Sequence, residues 1–339
     1  MGIYIIAEAG VNHNGNRELA FKMIDAAAES GCDCIKFQTF QTEALVTASA
    51  HKAAYQKANT GREDTQYEML KPLEFGKKDF EVLKRHCAAR GIDFLSTPFD
   101  IPSVRLLEEL NVSGYKLSSG DITDRLLLQT VACTNKPLLL STGMSTIEEV
   151  SEAVGWIEAC GNQNITLMHC TSNYPASYDE VNMRAMLTLQ NRFPYPTGYS
   201  DHTQGIHIAV MAAAMGARVI EKHFTLDKTM PGPDHKASLS VAELKEMVRA
   251  VRDVETAMGD GSKRPSRSEM DTRRAARKSI VINKPLRKGT RLKKEDMEIR
   301  RPGTGIAPKY MEQLEGKYLL RNVEQETVLQ WEDVKQGDL

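Results

Sequence analysis

Charged and hydroxyl side chains stand at the ends of short apolar runs, where a core sequence ordinarily carries valine or leucine. Glu8 ends the run IYIIAE, and Lys36 and Gln38 lie two residues apart in CDCIKFQ. In an extended chain that spacing puts both on one face and Phe37 on the other. Ser96 and Thr97 close IDFLST, Lys116 and Ser119 lie in SGYKLSS, Ser141 closes PLLLS, and His169 stands near the end of ITLMHC. His202 follows PTGYS, and Glu221 and His223 alternate within ARVIEKHF. A lysine or glutamate buried in such a run is costly unless it is partnered. Two lysines with several hydroxyls suit a dianionic phosphate beside a carboxylate. Two histidines with carboxylates suit a divalent metal acting as a Lewis acid on a carbonyl oxygen. The set points to carbon–carbon bond chemistry on a phosphorylated or carboxylated small molecule.

These residues need a frame that brings the ends of many strands together. Strands are predicted at 3–8, 32–38, 92–97, 113–119, 137–142, 165–170, 196–200 and 217–224, with amphipathic helices between them at 17–30, 78–90, 104–110, 146–159 and 205–216. A last helix is predicted at 241–259. Eight strand–helix units over this length match an α/β (β/α)8 TIM barrel, whose active site is built at the C-terminal ends of its strands. A doubly wound sheet is the alternative, but it needs a glycine-rich phosphate fingerprint after an early strand, and Gly10 to Gly15 lacks the spacing. The domain boundaries read as 1–258 for the barrel, 259–278 for a basic, solvated connector without apolar periodicity, and 279–339 for a small, mostly β domain.

The 339 residues include 44 basic and 45 acidic ones, a formal net charge of -1. That balance excludes attachment to nucleic acid or anionic lipid by bulk charge. Neither nucleic acid nor membrane is an expected partner: no apolar run approaches the ~20 residues that span a bilayer. Six cysteines sit at no metal or disulfide spacing and read as reduced, buried thiols. The N-terminal run lacks a signal-peptide pattern, and Ile6 stands where a myristoylation motif wants Ser or Thr. A cytoplasmic location is expected.

The strings IAEAGVNHNG, IKFQTF, FLSTPFD, YKLSSGD, LLSTGM, LMHCTSNYP, GYSDHT, IEKHFTLDKTMPGPDHKASL and RRPGTG occur in this order along the chain. The series closely resembles the bacterial sialic acid (nonulosonic acid) synthases, a family that includes N-acetylneuraminate and N,N'-diacetyllegionaminate synthases. Its C-terminal part is similar to the antifreeze-like (SAF) domain. The resemblance implies a transferase that condenses phosphoenolpyruvate with the open-chain aldehyde of an N-acetylated mannose-type hexose and releases phosphate. It also implies a divalent metal, Mn2+ foremost with Mg2+ or Co2+ as alternatives, and a domain-exchanged homodimer. By the same resemblance His202 and His223 are metal ligands and Glu8 is the acid/base. Lys36, Thr97, Lys116, Ser119, Ser141 and Ser200 hold phosphoenolpyruvate. Gln38, Asp121, Tyr174, Glu221 and Asp234 surround the sugar or the metal's water, and Arg301 reaches the sugar from the other subunit.

Three positions depart from the pattern or stay open. Asp121 stands where relatives usually have glutamate, one methylene longer, so its reach to sugar hydroxyls is in question. Ser172 replaces an Asn or Thr. His13, in VNHNG, is read equally as loop structure or substrate contact. The run 49–70 together with GYSDHTQGIHI and GPDHKASL looks more like the legionaminate branch than the neuraminate one. Pseudaminate synthase and a non-catalytic antifreeze-like binding protein are the rival readings.

Overall fold

The computed structural model describes residues 2–61 and 63–335. The chain divides into two compact units between Gly259 and Asp260. The first is built on eight parallel strands: β1 Tyr4–Gly10, β2 Cys34–Thr39, β3 Asp93–Pro98, β4 Tyr115–Leu117, β5 Leu138–Ser141, β6 Ile165–Cys170, β7 Thr197–Asp201 and β8 Val219–Thr225. Their hydrogen-bonded order is β3-β2-β1-β8-β7-β6-β5-β4. β3 and β4 pack side by side and complete the ring of a (β/α)8 barrel. A two-residue strand, β9 (Leu239–Ser240), pairs in parallel with the end of β8.

Local signals start the outer helices. Asn16 caps Arg17–Glu29, Asp100 caps Ile101–Glu109, and Thr146 with Glu149 forms a reciprocal capping box on Ile147–Glu158. Ser240 and Glu243 do the same for Val241–Met258.

The strand period of two sorts the side chains between two cores. Ile5, Ala7, Ile35, Phe37, Leu117, Leu140, Leu167 and Ile220 face the helices in one large apolar cluster. Ile6, Cys34, Leu95, Met168 and Val219, with Tyr4 and Leu139 at their edge, fill the N-terminal half of the barrel interior. The next inward positions on β1, β2, β3 and β8 are Glu8, Lys36, Thr97 and Glu221, joined by Ser200 on β7, so the interior changes from apolar to ionic within one layer.

Gly198 shows how tightly that apolar layer is filled. A Cβ there would lie 2.5 Å from Met168 Sδ and 2.6 Å from the Val219 carbonyl oxygen. Gly198→Ala is therefore expected to destabilise the barrel by about 1–3 kcal/mol, measured as a lower urea midpoint at unchanged m-value.

The structure corrects several expectations. β4 stops at Leu117, and Ser119 begins a tight turn, Ser119–Asp121, in which Ser118 Oγ accepts the Gly120 N–H at 3.2 Å. Between β2 and the helix Lys77–Arg90 stand three short helices that the sequence did not announce: Thr42–Leu45, Ala54–Thr60 and Gln66–Leu70. This segment is pinned by buried Lys52, which pairs with Asp64 and donates to Thr60 Oγ1 at 2.9 Å. Asn59 Nδ2 also donates to the Pro233 carbonyl at 2.6 Å, tying the segment to the loop after β8. All six cysteines are free, but Cys133 is exposed and Cys160 only half-buried.

In the second unit β10 (Ser279–Ile282) pairs antiparallel with β11 (Met297–Arg300) over a core of Ile280, Ile282, Leu292, Ile306, Leu314, Leu319 and Leu329. The remaining β contacts are single bridges. The basic stretch read as an irregular connector contains an exposed helix, Glu269–Ala276. Acidic residues in its first turn and Arg273 and Arg274 in its last favour it through the helix dipole, without an apolar face.

Candidate active site

At the C-terminal end of the barrel a cavity of about 280 Å³ gathers most of the residues singled out from the sequence. Glu8, Lys36, Gln38, Thr97, Lys116, Ser119, Ser141, Tyr174, Ser200, His202, Glu221, His223 and Asp234 all line it. Asp121 does not; its Oδ2 is buried without a hydrogen-bond partner, and burial pushes its carboxyl up to about 7. Arg301 is an exposed residue of the second unit. Two members of the sequence set face outward. Met168 takes the inward position on β6, so His169 points away and meets the Val181 carbonyl at 2.9 Å. Thr97 is inward on β3, and Ser96 instead bonds Thr39 at 2.6 Å. His13 is structural: buried, stacked on Phe75 at 4.1 Å, its Nδ1 accepting the Gly15 N–H.

Each lysine in the cavity already has partners. Lys36 Nζ lies 2.8 Å from Glu8 Oε2 and donates to Thr97 Oγ1 at 2.8 Å. Lys116 Nζ donates to Ser141 Oγ at 2.7 Å and stands 3.6 Å from Glu221 Oε1, which also accepts from Ser200 Oγ at 2.9 Å. The register explains the grouping: Glu8 is directly opposite Lys36 on one side and His223 on the other, and Ser200 is opposite Glu221.

The two carboxylates are held in different states. Burial pushes Glu8 up to about 7, opposed by Lys36 and reinforced by Glu221. Burial also works against Glu221, but Lys116, Lys36 and the Ser200 hydroxyl hold it down at about 2. One carboxyl thus stays ionised while the other changes state near neutral pH, the division of labour that acid–base chemistry requires. Asp234 is raised to about 6 by burial.

The histidines form the other half. Burial lowers His202 to about 4 and drives His223 well below the usual range, so both are neutral imidazoles at physiological pH. His202 Nδ1 is 2.7 Å from the Thr171 carbonyl, which fixes the proton there and leaves Nε2 as the lone-pair nitrogen. His223 Nδ1 is buried with no hydrogen-bond partner. The ring centroids lie 5.8 Å apart, with Tyr174 packed on both at 4.1 and 5.6 Å. Two neutral imidazoles, one fixed by a backbone carbonyl and one with an orphaned nitrogen, fit a divalent metal. Among the described residues no group of three or more His, Cys, Asp and Glu side chains forms a complete ligand set. Such a metal would therefore take its other ligands from water and substrate.

The chain matches the NeuB family over residues 23–263 and the SAF domain over 277–335. It belongs to the NeuB family. It is 46% identical over 339 residues to an N,N'-diacetyllegionaminic acid synthase of Legionella pneumophila, covering 99% of this chain and 95% of that protein. The corresponding Campylobacter jejuni synthase is 45% identical, covering 96% and 98%. Among solved structures, the N-acetylneuraminic acid synthetase of Leptospira borgpetersenii in complex with citrate superposes with a TM-score of 0.71 at 35% identity, over 80% of this chain and 90% of that one.

Inspection of the sequence missed one side of this NeuB-family cavity. Leu45, Val46, Tyr55, Gln56, Gln66, Met69 and Leu70 line it from the segment after β2. The unusual length of that β–α connection, and the likeness of residues 49–70 to the legionaminate branch, were the signals available. Among the described residues no helix is long and apolar enough to cross a membrane.

Proposed function

We propose that this chain is a nonulosonic acid synthase that joins phosphoenolpyruvate to the open-chain aldehyde of an N-acetylated mannose-type sugar. The carrying observation is the meeting, in one cavity, of two partnered lysines with two neutral histidines around Glu8. The identities to legionaminic acid synthases support 2,4-diacetamido-2,4,6-trideoxymannose as the sugar, with N-acetylmannosamine the second reading.

Lys36 with Thr97, and Lys116 with Ser141, hold the phosphate and carboxylate of phosphoenolpyruvate, with Ser119 and Ser200 completing the hydroxyl lining. With Glu8 and Glu221 both ionised, the four charged side chains sum to zero, so a ligand carrying about three negative charges needs a further cation. His202 and His223 would hold that cation, Mn2+ foremost. When bound, the metal polarises the aldehyde oxygen.

The sugar carbons extend past Gln38, Tyr174 and Asp234, oriented so that C3 of phosphoenolpyruvate forms the new bond to the aldehyde carbon. Water adds at C2, and the proton it loses passes through Glu8 to the former aldehyde oxygen, which becomes a hydroxyl. Cleavage of the bond from C2 to the phosphate oxygen, with the C2 hydroxyl proton leaving on the phosphate, then releases inorganic phosphate and leaves a 2-keto acid. Arg301, supplied across a domain-exchanged homodimer, completes the sugar site. A cytoplasmic location belongs to the same reading, and six free cysteines suit a reducing compartment.

The experiment is phosphate release from phosphoenolpyruvate with Mn2+ and each sugar in turn. Absence of turnover with both sinks the assignment. Loss of Mn2+ binding in His202→Ala and His223→Ala, followed by electron paramagnetic resonance, tests the ligand pair apart from activity. A pH profile tests Glu8. As a base it must be ionised, so kcat/KM is expected to rise with pH through about 7 and to be lost below it. Glu8→Gln is expected to remove that limb and lower kcat by roughly 10²–10⁴-fold.

A further inference from the structure

One wall of the cavity takes no part in holding phosphoenolpyruvate, the metal or the moving protons. Leu45, Val46, Met69 and Leu70 contribute four aliphatic side chains to it, all from the segment inserted between β2 and its helix. The depth order along β2 shows where they stand. Lys36, Gln38 and Phe40 follow one another on the inward side, each two-residue step rising roughly 6–7 Å toward the mouth. The lysine marks the phosphoenolpyruvate end, and the segment that begins just beyond Phe40 borders the mouth. A sugar whose aldehyde lies at Glu8 and the two histidines therefore directs its distal carbons, C4 to C6, at the aliphatic wall.

Tyr55, Gln56 and Gln66 share this side of the cavity with the aliphatic wall, and the two glutamines meet each other. Gln56 Oε1 accepts from the Ala53 N–H at 3.0 Å and lies 3.5 Å from Gln66 Nε2. Lys52 is buried against Asp64 and Thr60 rather than aimed at the cavity. On the β4 side Asp121 does not line the cavity, and its Oδ2 is buried without a hydrogen-bond partner.

Resting on the synthase reading, we propose that Leu45, Val46, Met69 and Leu70 are specificity-determining residues that select a 6-deoxy sugar with a second acetamido group at C4. The C6 methyl and the acetamido methyl pack on the wall. A C6 hydroxyl placed against the same four side chains loses its water partners and gains none from them. One methyl in such a pocket changes kcat/KM by about 10–200-fold.

The test measures phosphate release by the full chain with Mn2+ for three sugars: 2,4-diacetamido-2,4,6-trideoxymannose, its 6-hydroxy analogue, and N-acetylmannosamine. The 6-deoxy sugar is expected to lead its 6-hydroxy analogue by at least about 10-fold in kcat/KM. Val46→Thr, which swaps a methyl for a hydroxyl at equal volume, and Leu45→Asn are expected to shrink that ratio several-fold, mainly through KM for the 6-deoxy sugar. A wild-type ratio near one overturns the proposal without any variant. A large ratio that survives both substitutions also overturns it, by placing selectivity elsewhere. Failure to release phosphate with all three sugars is a different result, because it removes the synthase reading itself.

Discussion

Lys36→Met is expected to abolish at least about 10³-fold of kcat near neutral pH while leaving the barrel almost as stable as before. Loss of a single charge-stabilising donor from a water-poor site costs 10²–10³-fold, and Lys36 has two roles to lose. Its ammonium, 2.8 Å from both Glu8 Oε2 and Thr97 Oγ1, is one of the two lysine cations in the cavity that we propose hold the phosphoenolpyruvate anion. It is also the main influence holding the buried Glu8 carboxyl down to about 7. Without it Glu8 moves further up, is protonated at neutral pH, and can no longer accept a proton. The same shift protects the fold. Removing one partner of a buried ion pair usually costs about 3–5 kcal/mol because a charge is stranded, but Glu8 strands none if it binds a proton. Kinetics and thermal melting at pH 7 check both halves. Retention of a tenth of wild-type kcat would falsify the anion-holding role. A melting temperature lower by tens of degrees would mean that Glu8 stays ionised.

The opposite pattern is expected from Lys222→Met. Asp201 on β7 and Lys222 on β8 are paired in register, both side chains almost fully buried on the outer surface of the strands. Nζ is 2.7 Å from Asp201 Oδ2 and 2.5 Å from the Thr203 carbonyl, and Asp201 Oδ1 accepts the N–H and hydroxyl of Thr203. Among the described residues Asp201 makes no ion pair besides the one with Lys222, so the substitution is expected to cost about 3–5 kcal/mol. Each member of the pair is the chain neighbour of a proposed metal ligand, Asp201 of His202 and Lys222 of His223. Release of this clamp lets the two strand ends separate, and Mn2+ affinity is expected to fall by about 10–100-fold, as for other groups that orient ligands. Urea unfolding and Mn2+ titration measure the two effects. The Asp201→Asn/Lys222→Met double variant should regain most of the stability, since it leaves no buried charge. If it regains none, packing rather than charge holds the strand ends.

The barrel was readable because its strands carry apolar runs of the right length between helices with capping residues. Most of the cavity was readable because ionic side chains in such runs have few structural uses. Parity was harder. His169 and Ser96 sit one residue from the inward positions, and only knowledge of which neighbour fills the interior, Met168 or Thr97, decides the face. The segment from Thr42 to Leu73 was illegible for another reason. Its helices are each two turns or shorter, too brief to display a period. Their order comes from tertiary bonds such as Lys52 with Asp64 and Asn59 with Pro233. Ser119 was misplaced because SGYKLSS continues a strand pattern beyond the point where the Ser118 hydroxyl turns the chain.

The lysines of the cavity meet their substrate already neutralised. Lys36 rests against Glu8 and Lys116 near Glu221, so in the proposed reaction phosphoenolpyruvate would not fill a vacant positive well. It would displace carboxylates from cations, as an ion moves onto an exchange resin. The empty barrel is thereby spared repulsion between two buried ammonium groups, and departing phosphate leaves behind counter-ions ready to close over the lysines. Affinity then reflects the difference between two sets of ion pairs. Product release is eased by the same side chains that keep the unliganded site intact.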